Sequence, residues 1–242
     1  MMSQLLKTIT IFSLITLTTF VYAQEQAMKN YKASYIEMNA AAGQTDNFAT
    51  FLTNAAPLVK QTEPGTKLWF ALQAPENKLA IFDIFVDEQA RKAHFSGAVA
   101  GALNQHANTL VAEGWDNGVV ANIHHSAVLS AKNPVDLYSG TTATYIKLKA
   151  APGQGENLAA LLSAAGSIVS ETEPGTLFWV ALQIDEDHFA IFDIFAGEAG
   201  REAHFAGKVA GLLNQKAAVL VEGGWADGVV ANVNNFDILA IK

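Results

Sequence analysis

The sequence predicts an α+β fold made of two tandem ferredoxin-like domains, each with the element order β-α-β-β-α-β. The first observation behind this prediction is an internal repeat: residues 35–132 return, without a gap, as residues 145–242. The second is the hydrophobic pattern inside each copy, which changes between strand and helix periodicity in that order. A gapless repeat of this length indicates a tandem duplication of a whole domain rather than a short-period solenoid.

Each copy opens with a strand, a helix and a turn. Residues 35–39 alternate apolar and polar side chains, as a strand does when one of its faces is buried. Apolar side chains then recur at helical spacing in residues 48–59, and again in residues 158–169. The Glu-Pro-Gly-Thr sequence at residues 63–66 predicts a tight turn, because proline fixes φ and glycine permits a positive φ at the next position.

A hairpin, a second helix and a last strand complete the copy. The apolar runs at residues 68–73 and 79–85 predict the two strands of the hairpin. Asp87 is a favourable N-cap for a helix that is predicted to run to about Val111. The last strand is predicted over residues 119–124.

An antiparallel sheet of this topology carries both helices on one face and leaves its other face bare. A second copy can cover the bare face, sheet against sheet. The sequence therefore predicts an intramolecular pseudo-dimeric α+β barrel, in which the two halves of one chain take the places of two subunits. The surface between the halves is the first place at which a ligand site is expected.

The chain divides into four predicted segments. Residues 1–23 have the pattern of a signal peptide, because Lys7 supplies a positive charge, an apolar stretch follows, and Val21-Tyr22-Ala23 resembles a cleavage site. An uncleaved anchor is the alternative. The other segments are a first domain, a linker and a second domain, at residues 30–132, 133–141 and 142–242. The signal peptide predicts a secreted or periplasmic protein.

Composition and motifs exclude several classes of function. The formal net charge is −8 and no run of Lys and Arg interrupts it, which argues against nucleic acid and, after signal cleavage, against a membrane as partner. The chain has no cysteine, Gly-rich dinucleotide loop, phosphate loop or nucleophile elbow. His124 and His125 are adjacent on a predicted strand, so they point to opposite faces and cannot chelate one ion together. The sequence predicts neither a cofactor nor a metal.

Asp83 and its counterpart Asp193 are the first candidate catalytic residues. Each lies in the middle of a strand among Ile and Phe residues, where an ionised carboxylate is costly unless it is paired. Burial would raise the pKa of the carboxyl group and make it a proton acceptor in a site. The alternative is an aspartate bonded to the backbone or to an arginine, or one at a solvated edge of the sheet.

His94 and His204 are the second candidate catalytic pair, and they are the only histidines at equivalent positions in both copies. An imidazole titrates near neutral pH and can act as a general base. On a continuous helix, however, His94 falls outside the apolar stripe, which predicts a histidine at the rim or surface of the protein.

Three further pairs are candidates for substrate binding, because they place polar groups on predicted strands. They are Tyr35 and Tyr145, Trp69 and Trp179, and Asn122 and Asn232. The rings would line a pocket for an aromatic ligand, and the asparagine amide would hold an oxyanion. The alternative is that the aromatic side chains belong to the core.

Both halves resemble the antibiotic biosynthesis monooxygenase (ABM) superfamily. The resemblance lies in the element order, in the Glu-Pro-Gly-Thr turn, and in the junction from Phe82 to Phe95 with its Phe-Asp-Ile-Phe and Ala-His-Phe sequences. It implies a dimeric α+β barrel and an activity like that of the quinol monooxygenases, which oxidise a phenol or quinol with molecular oxygen and without flavin or metal. The partner it implies is a small aromatic molecule.

For this activity we expect the acid/base group to be the aspartate pair or the histidine pair described above, with Asn122/Asn232 and Trp69/Trp179 positioning the ring. The alternative function is a non-catalytic exported module that binds a small apolar molecule between its halves. Haem degradation, another activity of this fold, ranks below both, because Phe85 and Phe195 stand where its members place a tryptophan at the end of the third strand. The sequence leaves open the substrate and whether the chain forms a further homo-oligomer.

Overall fold

The computed structural model describes residues 30–242, so the predicted signal peptide lies outside the described residues. The elements of the first half are β1 Lys32–Asn39, α1 Thr45–Thr62, β2 Thr66–Ala74, β3 Lys78–Phe85, α2 Glu88–Phe95, α3 Ala98–Leu110 and β4 Ile123–Lys132. Those of the second half are β5 Thr142–Lys149, α4 Gly155–Thr172, β6 Thr176–Gln183, β7 His188–Phe195, α5 Glu198–Phe205, α6 Lys208–Leu220, α7 Gly224–Gly228 and β8 Val233–Ile241.

The eight strands form one closed barrel in the order β1-β3-β2-β8-β5-β7-β6-β4. Each half contributes four neighbouring antiparallel strands, in the order β4-β1-β3-β2 or β8-β5-β7-β6, which is the strand order of a ferredoxin-like sheet. The two sheets join through the β2–β8 and β4–β6 pairs. The predicted α+β barrel is confirmed.

Aromatic side chains from both halves fill the inside of the barrel. The rings of Tyr35 and Tyr145 stack with their centroids 3.7 Å apart, and those of Phe82 and Phe192 stack at 3.9 Å. Stacked rings at these distances leave no room for a ligand between them. The surface between the halves is therefore a packed core where these four rings meet.

The helices cover the outer face of each sheet and bury a second apolar layer. In the first half, Phe48 and Leu52 of α1 and Val99 and Leu103 of α3 pack on the outward side chains of the sheet. Because side chains alternate along a strand, Ile81 and Asp83 point into this outer layer while Phe82 points into the barrel. Asp83 therefore lies between sheet and helices.

The segment predicted as one long helix is two helices. Asp87 caps the first of them as predicted, since its side chain accepts a hydrogen bond of 2.8 Å from the Ala90 amide. The helix then ends at Phe95, and α3 begins after Gly97, whose backbone is extended with ψ at 178°. The break changes the direction of the chain, so a helical wheel drawn through it assigns residues to the wrong faces.

The last strand of the first half begins later than predicted. A π-helix at Gly114–Val119 and a 3₁₀ turn at Val120–Asn122 precede it, and β4 itself spans Ile123–Lys132. The later part of β4 pairs with β6 of the other half, so its length depends on a partner that local sequence does not reveal. Within residues 30–242 we find no helix with the length and apolar character of a membrane span.

Candidate functional site

Asp83 and Asp193 are both fully buried, with no exposed surface. Each lies on the third strand of its half, β3 or β7, and points into the layer between sheet and helices. Within the described residues neither carboxylate oxygen of either side chain has a hydrogen-bond partner. Asp83 and Asp193 are therefore carboxyl groups that burial strongly favours in the neutral form.

A histidine faces each of these carboxylates. Nε2 of His94 lies 3.8 Å from Oδ2 of Asp83, and Nε2 of His204 lies 3.7 Å from Oδ2 of Asp193. His94 and His204 are each only 5% exposed. The expectation of a surface histidine is wrong, because α2 ends one residue after His94 and the continuous helix assumed for it does not exist.

A glutamate that the sequence reading did not select holds each histidine from its other side. Oε2 of Glu63 lies 2.5 Å from Nδ1 of His94, and the equivalent distance from Glu173 to His204 is also 2.5 Å. The Thr66 hydroxyl donates to the same Glu63 oxygen at 3.0 Å. Both glutamates belong to the repeated Thr-Glu-Pro-Gly-Thr sequence. A turn alone does not require a glutamate at this position, so its presence in both copies was a signal of a second role.

Glycine leaves room for each glutamate. A Cβ at Gly97 would lie 2.9 Å from Oε1 of Glu63, and one at Gly207 would lie 2.6 Å from Oε1 of Glu173. These glycines are also the residues at which the second helix of each half breaks. The break therefore admits the glutamate that orients the histidine.

The electrostatics of each Glu–His–Asp group follow from burial. Burial raises the pKa of Asp83 to about 7; the charge of His94 opposes this rise and that of Glu63 adds to it. Asp193 has the same pKa of about 7 for the same reasons. Burial alone would lower the pKa of His94, but the charges of Asp83 and Glu63 and the hydrogen bond to Glu63 outweigh it and raise that pKa. Each group can therefore exchange a proton near neutral pH.

Trp69 lies beside Asp83 on the neighbouring strand, directly opposite it in the β2–β3 pair. It is fully buried, and its Nε1 has no hydrogen-bond partner among residues 30–242. Trp179 has the same place beside Asp193. The structure thus brings together Asp83, His94 and Trp69 of the residues selected from the sequence, with an unpaired donor next to an unpaired acceptor.

Tyr35 and Tyr145 lie on the opposite side of the sheet, inside the barrel. The Tyr35 hydroxyl donates to Oε2 of Glu37 at 2.7 Å, and both rings are 1% exposed. Burial, with a further contribution from Glu37, raises the pKa of Tyr35 far above its usual range. These tyrosines do not contact the Glu–His–Asp groups, and their assignment to substrate binding stays a prediction.

Asn122 and Asn232 occupy 3₁₀ turns rather than the strands on which they were expected. The Asn122 amide donates to the carbonyl oxygens of Asn117 at 3.0 Å and of Gly118 at 3.1 Å. The Asn232 amide makes the equivalent bonds to Asp227 and Gly228. These bonds close the turn before the last strand, so the amide groups are engaged with the backbone in this structure.

A row of polar side chains continues from Asp83 across the sheet. Ser34 lies opposite Asp83 in the β1–β3 pair, and its hydroxyl is 2.9 Å from Nδ1 of His125 on β4. His125 is exposed, so the row leads from the buried carboxylate to the surface. In the second half Thr144 and Asn235 take these places, 3.2 Å apart. The two halves therefore differ at the outer end of the row.

A surface groove gives access to the site of the first half. It has a volume of about 420 Å³ and lies between the Glu-Pro-Gly-Thr turn and the α2–α3 break. Glu63, Ala90, His94 and Gly97 are among the residues that line it. A ligand in this groove could contact His94, which lies in its lining. Within the described residues, no group of His, Cys, Asp and Glu is arranged to hold a metal ion.

The aspartates make the free energy of unfolding depend on pH. Burial raises their pKa from an ordinary value of 3.8 to about 7, so between these pH values the folded state binds more protons than the unfolded state. The free energy of unfolding is expected to fall by a few kcal/mol between about pH 5 and about pH 8. His94 and His204 act in the same direction, because their raised pKa gives stability that is lost as the pH rises through it.

Urea unfolding at the two pH values measures this dependence. The Asp83→Asn/Asp193→Asn variant keeps the side-chain volume without the charge. Its free energy of unfolding should therefore change much less between the two pH values than that of the wild type. A variant that retained the full pH dependence would contradict the assignment to these aspartates.

Comparison with solved structures shows what this architecture is similar to. A proposed monooxygenase from Fusobacterium nucleatum matches with a TM-score of 0.69 and 14% sequence identity, over 88% of this chain and 94% of its own. An anthrone oxidase-like protein matches with a TM-score of 0.57 and 10% identity, over 88% of this chain and 93% of its own. The chain has the fold of these monooxygenase-like structures.

At these identities the fold alone is what the proteins have in common. A protein of unknown function from Nitrosomonas europaea is 35% identical, over 45% of this chain and 98% of its own, with a TM-score of 0.40. No protein-family model matches the sequence, and no curated protein matches it. A proposal about the chemistry of this chain therefore has to be argued from its own Glu–His–Asp groups.

Proposed function

We propose that the protein is a cofactor-independent monooxygenase that oxidises a small phenol or quinol with molecular oxygen. The observation that carries this proposal is the Asp83–His94 pair, a fully buried carboxyl group with a pKa near neutral facing a histidine held by Glu63. Names of similarly folded proteins, among them a proposed monooxygenase and an anthrone oxidase-like protein, support the reaction class.

The first step is removal of a proton from the phenolic hydroxyl group. A substrate in the groove meets His94, and the proton passes to the His94–Asp83 pair, which has an unfilled proton site near neutral pH. The buried indole N–H of Trp69 supplies a donor beside Asp83. The low dielectric of the buried layer strengthens the electrostatic interactions of the His94–Asp83 pair and of the Trp69 N–H group.

The phenolate then supplies electrons to oxygen. One oxygen atom of O₂ becomes a carbonyl oxygen of the quinone product and the other leaves as water, so the substrate provides all four electrons and no external reductant is consumed. One hydrogen of that water is the phenolic proton, returned by the His94–Asp83 pair, and the other comes from the ring carbon that is oxidised. The aspartate and histidine return to their starting protonation states.

Oxygen uptake with a panel of quinols and anthrones tests this function. Residues 24–242 should consume oxygen and form the quinone in a one-to-one ratio, with one labelled atom in the product when ¹⁸O₂ is used. Absence of uptake across the panel would count against the function, and so would peroxide formation without incorporation of the label.

An apolar pocket favours a second candidate function, the binding of a small apolar molecule without turnover. It has a volume of about 210 Å³ and lies where β2 begins and β3 and β4 end. Leu68 and Ile84 of the first half and Phe178 of the second are among its lining residues. Native mass spectrometry that found a bound aromatic molecule, with no oxygen uptake, would favour this function.

Two further proposals concern origin and location. The identical element order of the halves and the constant spacing of the repeat support an origin by tandem duplication. The pattern of residues 1–23 supports export of the protein to the periplasm or the medium.

A further inference from the structure

Lys132 and Lys242 occupy equivalent places, and each reaches into the other half of the chain. Nζ of Lys132, on β4, donates to the carbonyl oxygen of Glu173 at 2.7 Å. Nζ of Lys242, just after β8, donates to the carbonyl oxygen of Glu63 at 2.8 Å and to that of Thr66. Lys132 is only 5% exposed, which is unusual for a lysine.

The strand pairing between the halves places these lysines. Lys132 lies opposite Trp179 in the β4–β6 pair, and the Lys242 amide donates to the Trp69 carbonyl at 2.9 Å. Each lysine therefore enters the opposite half beside the tryptophan of that half. The crossing depends on the closed barrel, in which the β2–β8 and β4–β6 pairs join the two sheets.

The atoms that the lysines hold belong to the turns that carry the glutamates. In the first turn the Thr66 amide donates to the Glu63 carbonyl at 3.2 Å, and the Thr176 amide donates to the Glu173 carbonyl at 3.2 Å in the second. A buried ammonium group that donates to a turn carbonyl fixes the turn more strongly than a neutral donor would. Glu63 and Glu173 leave these turns to contact His94 and His204.

We propose that Lys132 and Lys242 are positioning residues exchanged between the halves, each holding the glutamate turn, and through it the histidine, of the opposite site. Each Glu–His–Asp group is then complete only when the other half is present. The geometry stands by itself, whereas its effect on turnover rests on the monooxygenase function proposed above.

The charges around each histidine agree with this assignment. His94 is faced by Asp83 on β3, by Glu63 on the turn and by Lys242 from the other half. His204 is faced by Asp193, Glu173 and Lys132 in the same way. Burial lowers the pKa of both lysines, while the charge of the glutamate that each one approaches opposes this change.

Amide hydrogen exchange in the full chain tests whether each lysine holds the turn of the opposite half, and this test does not require turnover. In Lys132→Met the Thr176 amide should exchange about tenfold faster, the effect of losing roughly one charged hydrogen bond, while the Thr66 amide keeps its rate. Lys242→Met should give the opposite pattern. Lys132→Arg keeps a charged donor and should restore slow exchange, and Lys216→Met, at an exposed lysine, is the matched control.

The Thr66 and Thr176 amides serve as internal references for each other. Unchanged exchange at Thr176 in Lys132→Met would overturn the proposal. Equal acceleration at both turns would also overturn it, because that result indicates a general loss of stability. Faster exchange at the turn of the half that carries the substituted lysine would exclude the crossed arrangement.

The pH profile of kcat then reports on positioning. In a chain with Asp83→Asn only the second Glu–His–Asp group remains complete, so adding Lys132→Met should lower kcat and shift its pH profile, whereas adding Lys242→Met should change neither. If the protein has no monooxygenase activity, kcat cannot be measured, but the hydrogen-exchange result still tests the proposal. A profile that Lys132→Met leaves unshifted would overturn the positioning role.

Discussion

Replacing both Asp83 and Asp193 with asparagine is expected to lower oxygen-dependent turnover by about 10²- to 10⁴-fold. The amide has nearly the same volume as the carboxyl group, so packing between sheet and helices is preserved, but it cannot accept the phenolic proton near neutral pH. Initial rates of oxygen uptake, measured with the best quinol of the panel, give the effect.

The two single variants and an exposed aspartate provide the controls. Asp83→Asn and Asp193→Asn each leave one Glu–His–Asp group intact and should retain turnover at the other site. Asp46→Asn removes a charge from the exposed start of α1 and should leave the rate unchanged. Wild-type turnover in the double variant would remove the aspartates from the mechanism.

Phe82→Ala is expected to lower the free energy of unfolding by about 3 to 5 kcal/mol. Phe82 is fully buried and stacks on Phe192 of the other half at a centroid distance of 3.9 Å. Its removal takes apolar surface out of the barrel core and leaves a cavity lined by residues of both sheets. Urea unfolding followed by circular dichroism measures the loss.

An exposed position shows what truncation costs outside the core. Val219 is 61% exposed on α6, and Val219→Ala should change the free energy of unfolding by no more than about 0.5 kcal/mol. Equal effects of the two substitutions would contradict the conclusion that the barrel interior is a packed core shared by the halves.

The internal repeat and the element order of each copy predicted the barrel correctly, because a sheet with both helices on one face needs a second sheet to cover the other. The position of His94 could not be obtained in this way. It depends on a break at Gly97, and a helical wheel assumes that no break exists. Glu63 was assigned to a turn on good grounds, and its contact with a residue 31 positions away is a tertiary fact.

The crossed lysines were beyond sequence reasoning for a related physical reason. Lys132 ends the last strand of its own half, where a charged residue is ordinary, and nothing nearby in the sequence marks it as buried. Its partner, the carbonyl of Glu173, lies 41 positions further along and across the junction of the two sheets. Asn122 shows the opposite case, in which a side chain assigned to a site serves its own turn.

The difference between His125 and Asn235 has a consequence for what a single chain with two similar halves can do. A symmetric homodimer must carry identical side chains at both of its sites, because one coding sequence specifies both. Here the Ser34–His125 contact in one half corresponds to Thr144–Asn235 in the other. A titratable ring therefore stands at the outer end of one polar row, and a neutral amide at the outer end of the other. The protein therefore resembles a heterodimer whose two subunits cannot dissociate. A substitution at the outer end of one row can change the proton exchange of that Glu–His–Asp group with solvent without changing the other group.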